Sequence, residues 1–246
     1  MIATALALML AVAQPDEGAI RRAVDNPARS ETYRGLDANR QPAEILAFAG
    51  IRPGMQVLDV GTGGGYFTEI LADAVGPDGA VVGWNGPAFA ARPNVSRALG
   101  RIRERYPATT FYATPTTSMA LPRGRFDLVL LHLYYHDFYW ESAEFGLARV
   151  EPRTVTAELY SAAKPGGTVV VVDHVAAGGR ETRAEVEATH RIDPAVVRAD
   201  FEAAGFIFDG ESEALRRPDE DRSMRVFNPA IRGKTDRFMF RFRKPQ

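Results

Sequence analysis

Apolar positions along this chain alternate between short continuous runs and stripes with helical spacing. Continuous apolar runs at residues 55–60, 126–131 and 168–173 predict strands that are covered on both faces. Apolar residues three and four positions apart predict amphipathic helices between these runs. The further predicted elements are helices at 42–49, 66–75, 95–105 and 194–204 and strands at 80–84 and 109–113. This alternation of strand and helix predicts an α/β fold with a parallel sheet.

Two segments late in the chain have less regular patterns. Residues 141–163 predict a largely helical segment that is disturbed at Pro152. Near the C-terminus, Phe238, Phe240 and Phe242 alternate mostly with arginines, which predicts a half-exposed strand with a solvated arginine face. That strand would add an antiparallel edge. The whole pattern therefore predicts a doubly wound, mostly parallel seven-stranded sheet with an antiparallel terminal strand.

The composition excludes several kinds of site. The chain has 246 residues, which suits one sizeable domain. Its formal net charge is −1, so no overall field favours nucleic acid or an anionic membrane. It contains no cysteine, and this excludes disulfides, thiolate zinc sites and cysteine nucleophiles.

The first residues resemble an export signal. Residues 2–12 are apolar except for Thr4, and a small-x-small pattern follows at residues 11–13. We therefore expect a signal peptide over 1–13 and a periplasmic protein, because so short a run does not span a bilayer. No Lys or Arg lies within the leader, which leaves a cytoplasmic protein with a docked N-terminal helix as the alternative. Residues 14–41 are then an N-terminal arm, with a short helix and a loop, and 42–246 form the main domain.

A glycine-rich turn connects the first predicted strand to the helix at 66–75. It reads Asp59-Val60-Gly61-Thr62-Gly63-Gly64-Gly65. Glycines allow a backbone to approach a ligand closely, and the helix N-terminus offers free N–H groups. The spacing is tighter than that of dinucleotide binders and lacks the lysine of a phosphate loop. The carboxyl group of Asp59 would repel a pyrophosphate, so the loop favours a zwitterionic ligand.

Three motifs together resemble class I S-adenosylmethionine-dependent methyltransferases. Residues 57–66 resemble motif I of that family, Lys164-Pro165-Gly166-Gly167 resembles the turn before its fifth strand, and Ala204-Gly205-Phe206 resembles the turn into its sixth. Segments around His136, His190 and Asp236 further resemble a little-characterised group of bacterial predicted methyltransferases, many of which carry leaders. The resemblance covers residues 42–246.

The resemblance implies S-adenosylmethionine as the cofactor. The residues implied to bind it are Asp59, Gly61, Thr62, Gly63, Gly65, Asn85 and Thr114. Family members usually carry an acidic residue where this chain has Asn85, and that residue bonds the ribose hydroxyls. A neutral amide makes weaker hydrogen bonds than a carboxylate, so weaker cofactor binding is expected. This departure and the leader leave an alternative function, an exported ligand-binding or interaction protein that has lost methyl transfer.

Histidines and aromatic residues follow the predicted strand at 126–131. The carboxyl ends of parallel strands face the ligand crevice, so His136, with Asp137 and Tyr135 beside it, is the predicted general base at the methyl acceptor. His132 and His174 are weaker candidates for catalysis, and His190 for the pocket rim. The alternative for all of them is a structural role in the core.

No metal site is predicted, and the expected substrate is a small molecule. A site built from His132, His136, His174 and Asp137 or Asp173 lacks a known metal motif, so no metal is predicted. Arg40 is either a partner of the methionine carboxylate or an anchor of the arm. We therefore expect methyl transfer to a small aromatic or hydrophobic acceptor, with no nucleic-acid partner and no membrane insertion. No feature of the sequence sets an oligomeric state.

Overall fold

The computed structural model describes residues 14–246. The predicted signal peptide over 1–13 lies outside the described residues and stays a prediction, as does export. Within residues 14–246, no helix combines the length and the apolar character that crossing a membrane requires.

The predicted seven-stranded sheet is confirmed. Its strands are β1 Gln56–Val60, β2 Ala80–Asn85, β3 Thr109–Ala113, β4 Phe126–His132, β5 Ala163–His174, β6 Ile207–Ser212 and β7 Arg237–Arg243. They lie in the order β3-β2-β1-β4-β5-β7-β6. Strands β1 to β5 are parallel to one another, and β7 pairs antiparallel with both β5 and β6.

Helices cover both faces of this sheet. They are α1 Glu17–Asp25, α2 Glu31–Arg34, α3 Asp37–Arg40, α4 Pro42–Ala49, α5 Tyr66–Val75, α6 Pro87–Ala90, α7 Pro93–Arg105, α8 Pro152–Ala162, α9 Thr182–Thr189 and α10 Pro194–Ala203. Alternate residues of β1 show the two layers. Leu58 packs in the core with α8 and α10, and Val57 packs in the core with α1, α4 and α5. Double coverage explains the continuous apolar runs of the central strands.

The N-terminal arm packs against the main domain. Ala19, Ile20 and Ala23 of α1 are buried against α4 and α5. The loop predicted after α1 is instead two short helices, α2 and α3. The fully buried guanidinium of Arg29 makes a bidentate ion pair with Asp37, which ties the two ends of this segment together.

The helix predicted over 141–163 is wrong in its first half. A turn with a bridge between Ser142 and Leu147 occupies that region, and Gly146 takes a φ of +66°. Helix α8 begins only at Pro152. Proline lacks an N–H and has a fixed φ, so it suits the first helical position better than the interior.

The prediction that the C-terminal strand is half-exposed is also wrong. Strand β7 is not an edge, because β6 pairs with its outer side. Its arginine face is covered as well as its phenylalanine face: the Arg241 guanidinium donates to the Phe48 carbonyl oxygen at 2.9 Å and to Asp209. Arg237 donates to the Asn39 carbonyl oxygen at 2.8 Å. Hydrogen bonding to backbone carbonyls allows Arg237 to be buried and Arg241 to be partly buried, which an alternating pattern alone does not reveal.

Candidate active site

A cavity of about 870 Å³ opens at the carboxyl ends of the parallel strands. The glycine loop, the segment after β4 and the connection between β6 and β7 form its walls. Its volume is in the usual range for small-molecule sites, roughly 300–1,000 Å³. It is the place where open α/β sheets bind ligands.

Two of the loop glycines line this cavity. Gly61 and Gly63 do so with φ values of +70° and +59°, and Gly65 takes +92° where the loop enters α5. A Cβ on Gly61 would overlap the ring of Tyr134, and one on Gly65 would overlap the side chain of Ile102. The glycines therefore allow protein side chains, as well as a ligand, to approach the loop.

The side chains of Asp59 and Thr62, within the loop, are buried. The carboxyl group of Asp59 is buried and accepts a 2.6 Å hydrogen bond from the Thr68 hydroxyl, which also contacts the Thr62 hydroxyl. Burial raises the pKa of Asp59 to about 6, although these hydrogen bonds oppose it. Neither Asp59 nor Thr62 lines the cavity, and their bonds fix the turn from β1 into α5.

Asn85 lies beside the loop at the end of β2. Its Oδ1 accepts from the Gly63 N–H and its Nδ2 donates to the Gly63 carbonyl oxygen, both at 3.0 Å. An aspartate could accept the first bond but would repel the carbonyl oxygen in the second. Asn85 is therefore matched to the loop backbone, and it also lines the cavity.

Thr114 and Tyr135 are turned toward the protein interior. The Thr114 hydroxyl accepts from the Trp84 indole and donates to the Met119 carbonyl oxygen, each at 2.8 Å. The Tyr135 hydroxyl donates to Asp200 at 2.9 Å within the core. Neither residue is part of the cavity wall, which at these points is formed by Thr116 and Tyr134.

His136 and Asp137 do line the cavity, and Asp173 lies behind them. The His136 Nδ1 is 2.8 Å from a fully buried Asp173 carboxylate oxygen, and its Nε2 is 3.3 Å from Asp137. Burial alone would lower the pKa of His136, but the two carboxylates outweigh it and raise the pKa to about 9. Burial raises the pKa of Asp137. Asp173 also accepts from the His136 backbone N–H at 2.9 Å, so it fixes both the ring and the turn.

The other cavity histidines are held neutral. Burial lowers the pKa of His190 to about 4, and the pKa of His174 is also lowered, by burial first and then by the charge of His136. The His190 Nδ1 lies 2.9 Å from the Val186 carbonyl oxygen and must donate to it, which leaves Nε2 as an acceptor. His132 is partly buried beside Phe67 and is not part of the cavity wall. No group of side chains in the described part of the chain has the geometry of a metal site.

An aromatic wall leads outward from His136; the sequence predicts its His190 as a pocket-rim candidate but does not reveal Phe145 or Phe227. The wall consists of His190, Trp140, Phe145 and Phe227. The ring centroids of His136 and His190 are 5.5 Å apart. The His190 centroid is also 4.5 Å from that of Trp140 and 4.9 Å from that of Phe227. Phe227 belongs to the β6–β7 connection, which has no pattern that marks it as part of a site.

Arg40, at the end of α3, reaches the cavity from the N-terminal arm. Its guanidinium lies 4.3 Å from the Tyr66 ring centroid and makes no ion pair within residues 14–246. Burial lowers its pKa. The neighbouring Tyr33 donates from its hydroxyl to the Gly64 carbonyl oxygen at 2.7 Å, so the arm is fastened directly to the glycine loop.

We expect Gly61→Ala to destabilise the protein by about 2–4 kcal/mol, because it combines a positive φ with overlap on the Tyr134 ring. Urea denaturation measures this. The double variant Gly61→Ala/Tyr134→Ala should recover part of the loss, relative to the sum of the single changes. Gly54→Ala is the control for φ alone, since Gly54 has a φ of +83° with no neighbour within 4 Å. Equal losses for Gly54→Ala and Gly61→Ala would contradict the overlap.

Comparison with known proteins agrees with this geometry. The ubiquinone/menaquinone biosynthesis C-methyltransferase UbiE of Burkholderia vietnamiensis is 30% identical over 132 residues, 53% of this chain and 48% of that protein. The match thus spans about half the length of this relative. A SAM-dependent methyltransferase from Aquifex aeolicus superposes with a TM-score of 0.58 at 21% identity, over 93% of this chain and 98% of that one.

A second solved structure shows the same fold. The 1,6-didemethyltoxoflavin-N1-methyltransferase of Burkholderia thailandensis, with its substrate and S-adenosylhomocysteine bound, has a TM-score of 0.52 at 17% identity, over 94% of this chain and 80% of that one. The family model described as a methyltransferase domain matches residues 51–228. This confirms the methyltransferase resemblance that the sequence motifs predict. The chain belongs to the methyltransferase domain family.

Proposed function

We propose that this protein transfers the methyl group of S-adenosylmethionine to a small aromatic acceptor. The observation that supports it is the joining of two half-sites in one cavity. One half is the glycine loop with Arg40, and the other is the His136–Asp173 pair with the aromatic wall. The relatives named above act in ubiquinone and menaquinone biosynthesis and on 1,6-didemethyltoxoflavin, which agrees with a small-molecule acceptor.

The residues at the loop fit this cofactor. Arg40 would pair with the methionine carboxylate, because its guanidinium faces the cavity without an ion-pair partner in the described chain. Gly61 and Gly63 leave the loop backbone open to a ligand. The Asn85 amide retains a second N–H and a second lone pair for a ribose hydroxyl. When bound, the sulfonium supplies a methyl group whose C–S bond breaks as the acceptor's lone pair forms the new bond.

His136 would remove the proton from an acceptor hydroxyl or amine. Asp173 holds the imidazole ring through Nδ1, so Nε2 faces Asp137 and the cavity. Proton transfer to a neutral His136 would leave an imidazolium between two carboxylates, which stabilise that charge. A cation bound in the same cavity would lower the pKa of His136 and increase the neutral fraction.

We expect S-adenosylhomocysteine to bind and Arg40→Gln to weaken that binding by about tenfold or more, because a charged hydrogen-bonded pair is lost. Isothermal titration calorimetry measures the affinity. Arg34→Gln is the matched control, since Arg34 is exposed on the neighbouring helix α2. Equal binding by Arg40→Gln and wild type would contradict the role of Arg40. Absence of binding to the wild type would contradict methyl transfer and favour the ligand-binding alternative.

A further inference from the structure

The mouth of the cavity carries positive charge that the protein does not neutralise. Arg92, Arg225 and Arg232 line it. Within residues 14–246, none of their guanidinium groups makes a hydrogen bond or an ion pair. By contrast, Arg191, Arg216 and Arg222 nearby in the fold are all paired with carboxylates. The mouth arginines are therefore available to a ligand.

Two of these arginines lie against aromatic rings. The Arg92 guanidinium carbon is 4.7 Å from the Phe89 centroid and 5.2 Å from that of Phe145. The Arg225 guanidinium carbon is 5.7 Å from the centroid of Phe227. Cation–π contacts of this kind orient an arginine while leaving its N–H donors free. The arginines thus mark the outer ends of the aromatic wall.

The wall joins these arginines to His136. One branch runs from His136 through His190 to Phe227 and Arg225. The other runs from His190 through Trp140 to Phe145, whose centroid is 5.4 Å from that of Trp140, and to Arg92. On either branch, flat apolar surface separates the predicted base from the positive charge. A ligand that touches both His136 and these arginines must therefore be elongated, and aromatic rings suit the flat apolar surface between them.

The charges around the cavity favour an anion at this end. Four arginines line it, counting Arg40, while Asp137 is its one acidic lining residue among the described residues and lies beside His136. Glu187, which accepts a 2.6 Å hydrogen bond from the Trp140 indole, is also near the wall, but it is exposed and solvent screens its charge. With Arg40 assigned to the cofactor, three cations remain for the acceptor.

We propose that the acceptor is an elongated aromatic acid, whose carboxylate binds Arg92 and Arg225 at the mouth and whose nucleophilic atom lies at His136. The identity of this ligand as a methyl acceptor rests on the proposed function; the anion-binding mouth does not. Arg232, which is exposed at the same rim, adds to the field that attracts the anion.

The test uses 6-hydroxy-2-naphthoate and its uncharged counterpart, 6-hydroxy-2-naphthamide. We expect the acid to bind about tenfold more tightly than the amide, because its carboxylate makes charge-assisted hydrogen bonds. Added salt should weaken binding of the acid more than that of the amide. Calorimetry gives both affinities, and tryptophan fluorescence locates the probe: of the chain's two tryptophans, Trp84 is fully buried and Trp140 lines the cavity.

Two charge-matched variants separate the mouth from general electrostatics. In Arg92→Gln/Arg225→Gln the acid should lose its advantage over the amide. In Arg97→Gln/Arg103→Gln, which removes two exposed arginines from α7, the advantage should remain. Circular dichroism and thermal melting establish that each variant is folded.

The outcomes distinguish this proposal from the proposed function. Equal affinity for acid and amide, or no binding of either at millimolar concentration, overturns the anionic acceptor even if S-adenosylhomocysteine binds. An arginine-dependent preference for the acid supports the anion-binding mouth even if S-adenosylhomocysteine does not bind, in which case methyl transfer is what fails.

Discussion

Replacing His136 with Gln is expected to slow methyl transfer by about 10²–10⁴-fold, the usual contribution of a positioned general base. The imidazole lines the cavity, and Asp173 fixes its orientation through a 2.8 Å contact. Glutamine keeps a polar group of similar length but does not accept a proton. The measurement is release of S-adenosylhomocysteine with 6-hydroxy-2-naphthoate as acceptor. A variant that retains the wild-type rate would contradict a role for His136 as the base.

The pH dependence follows from the same pair. A base must be neutral to accept a proton, and the pKa of His136 in the free protein is raised to about 9. We therefore expect kcat/KM to rise from neutral pH to a plateau above about pH 9. The stability contribution has the opposite sign. It is fully present below the ordinary pKa of 6.5 and is lost as the pH rises through about 9.

Nuclear magnetic resonance of the histidine rings tests this titration without any substrate. The chain has four histidines, and burial lowers the pKa of His132, His174 and His190, so only His136 should titrate in the alkaline range. Asp173→Asn should move that titration to lower pH. Asp200→Asn is the matched control, because Asp200 is also a buried carboxylate but binds tyrosine hydroxyls in the core. An unchanged titration in Asp173→Asn would sink the assignment of the pair.

The fold was largely predictable because its central strands obey a local rule. Residues 56–60 and 126–132 are covered on both faces, so their continuous apolar runs identify them directly. The C-terminal strand failed for a non-local reason. Arg237 is buried and Arg241 is partly buried because carbonyl oxygens of Asn39 and Phe48, almost two hundred positions away in sequence, accept their hydrogen bonds. The alternating pattern alone predicts that such arginines are solvated.

The candidate site was predictable where it depends on topology and not where it depends on side-chain direction. His136 and Asp137 follow a strand whose carboxyl end must face the crevice, and the structure places them there. Tyr135 is adjacent in sequence but points into the core, because the 3-10 helix at 135–139 turns successive side chains in different directions. Asp173, the partner of His136, is contributed by a different strand and thirty-seven residues away in sequence.

The β6–β7 connection, residues 213–236, supplies the part of the cavity that the sequence did not reveal. An ionic cluster around the buried carboxylate of Asp236 holds it in place. Asp236 is fully buried and accepts hydrogen bonds from Arg216 at 3.0 Å, Arg222 at 2.6 Å and the Arg217 backbone N–H at 2.6 Å. Burial alone would raise the pKa of Asp236, but these donors and the arginine charges outweigh it and lower the pKa.

We expect Asp236→Ala to lower the free energy of unfolding by about 1–3 kcal/mol, because it removes the shared acceptor of the Arg217 backbone N–H and of the partly buried Arg216 and Arg222 guanidinium groups. Urea denaturation at pH 7 measures the loss. Asp219→Ala, at an exposed carboxylate of the same connection, should change stability by less than about 0.5 kcal/mol. The contribution of Asp236 should be present above its ordinary pKa of 3.8 and fall as the pH drops through its lower folded value.

The same variant tests whether the connection is a rigid wall of the acceptor site. Arg225 and Phe227 lie between the anchoring residues Arg222 and Asp236, so loss of this anchor should increase hydrogen exchange over residues 213–236. Binding of 6-hydroxy-2-naphthoate should then weaken more than binding of S-adenosylhomocysteine, because the glycine loop and Arg40 are held by separate contacts. Equal loss of both ligands would show that Asp236 supports the whole domain rather than this wall.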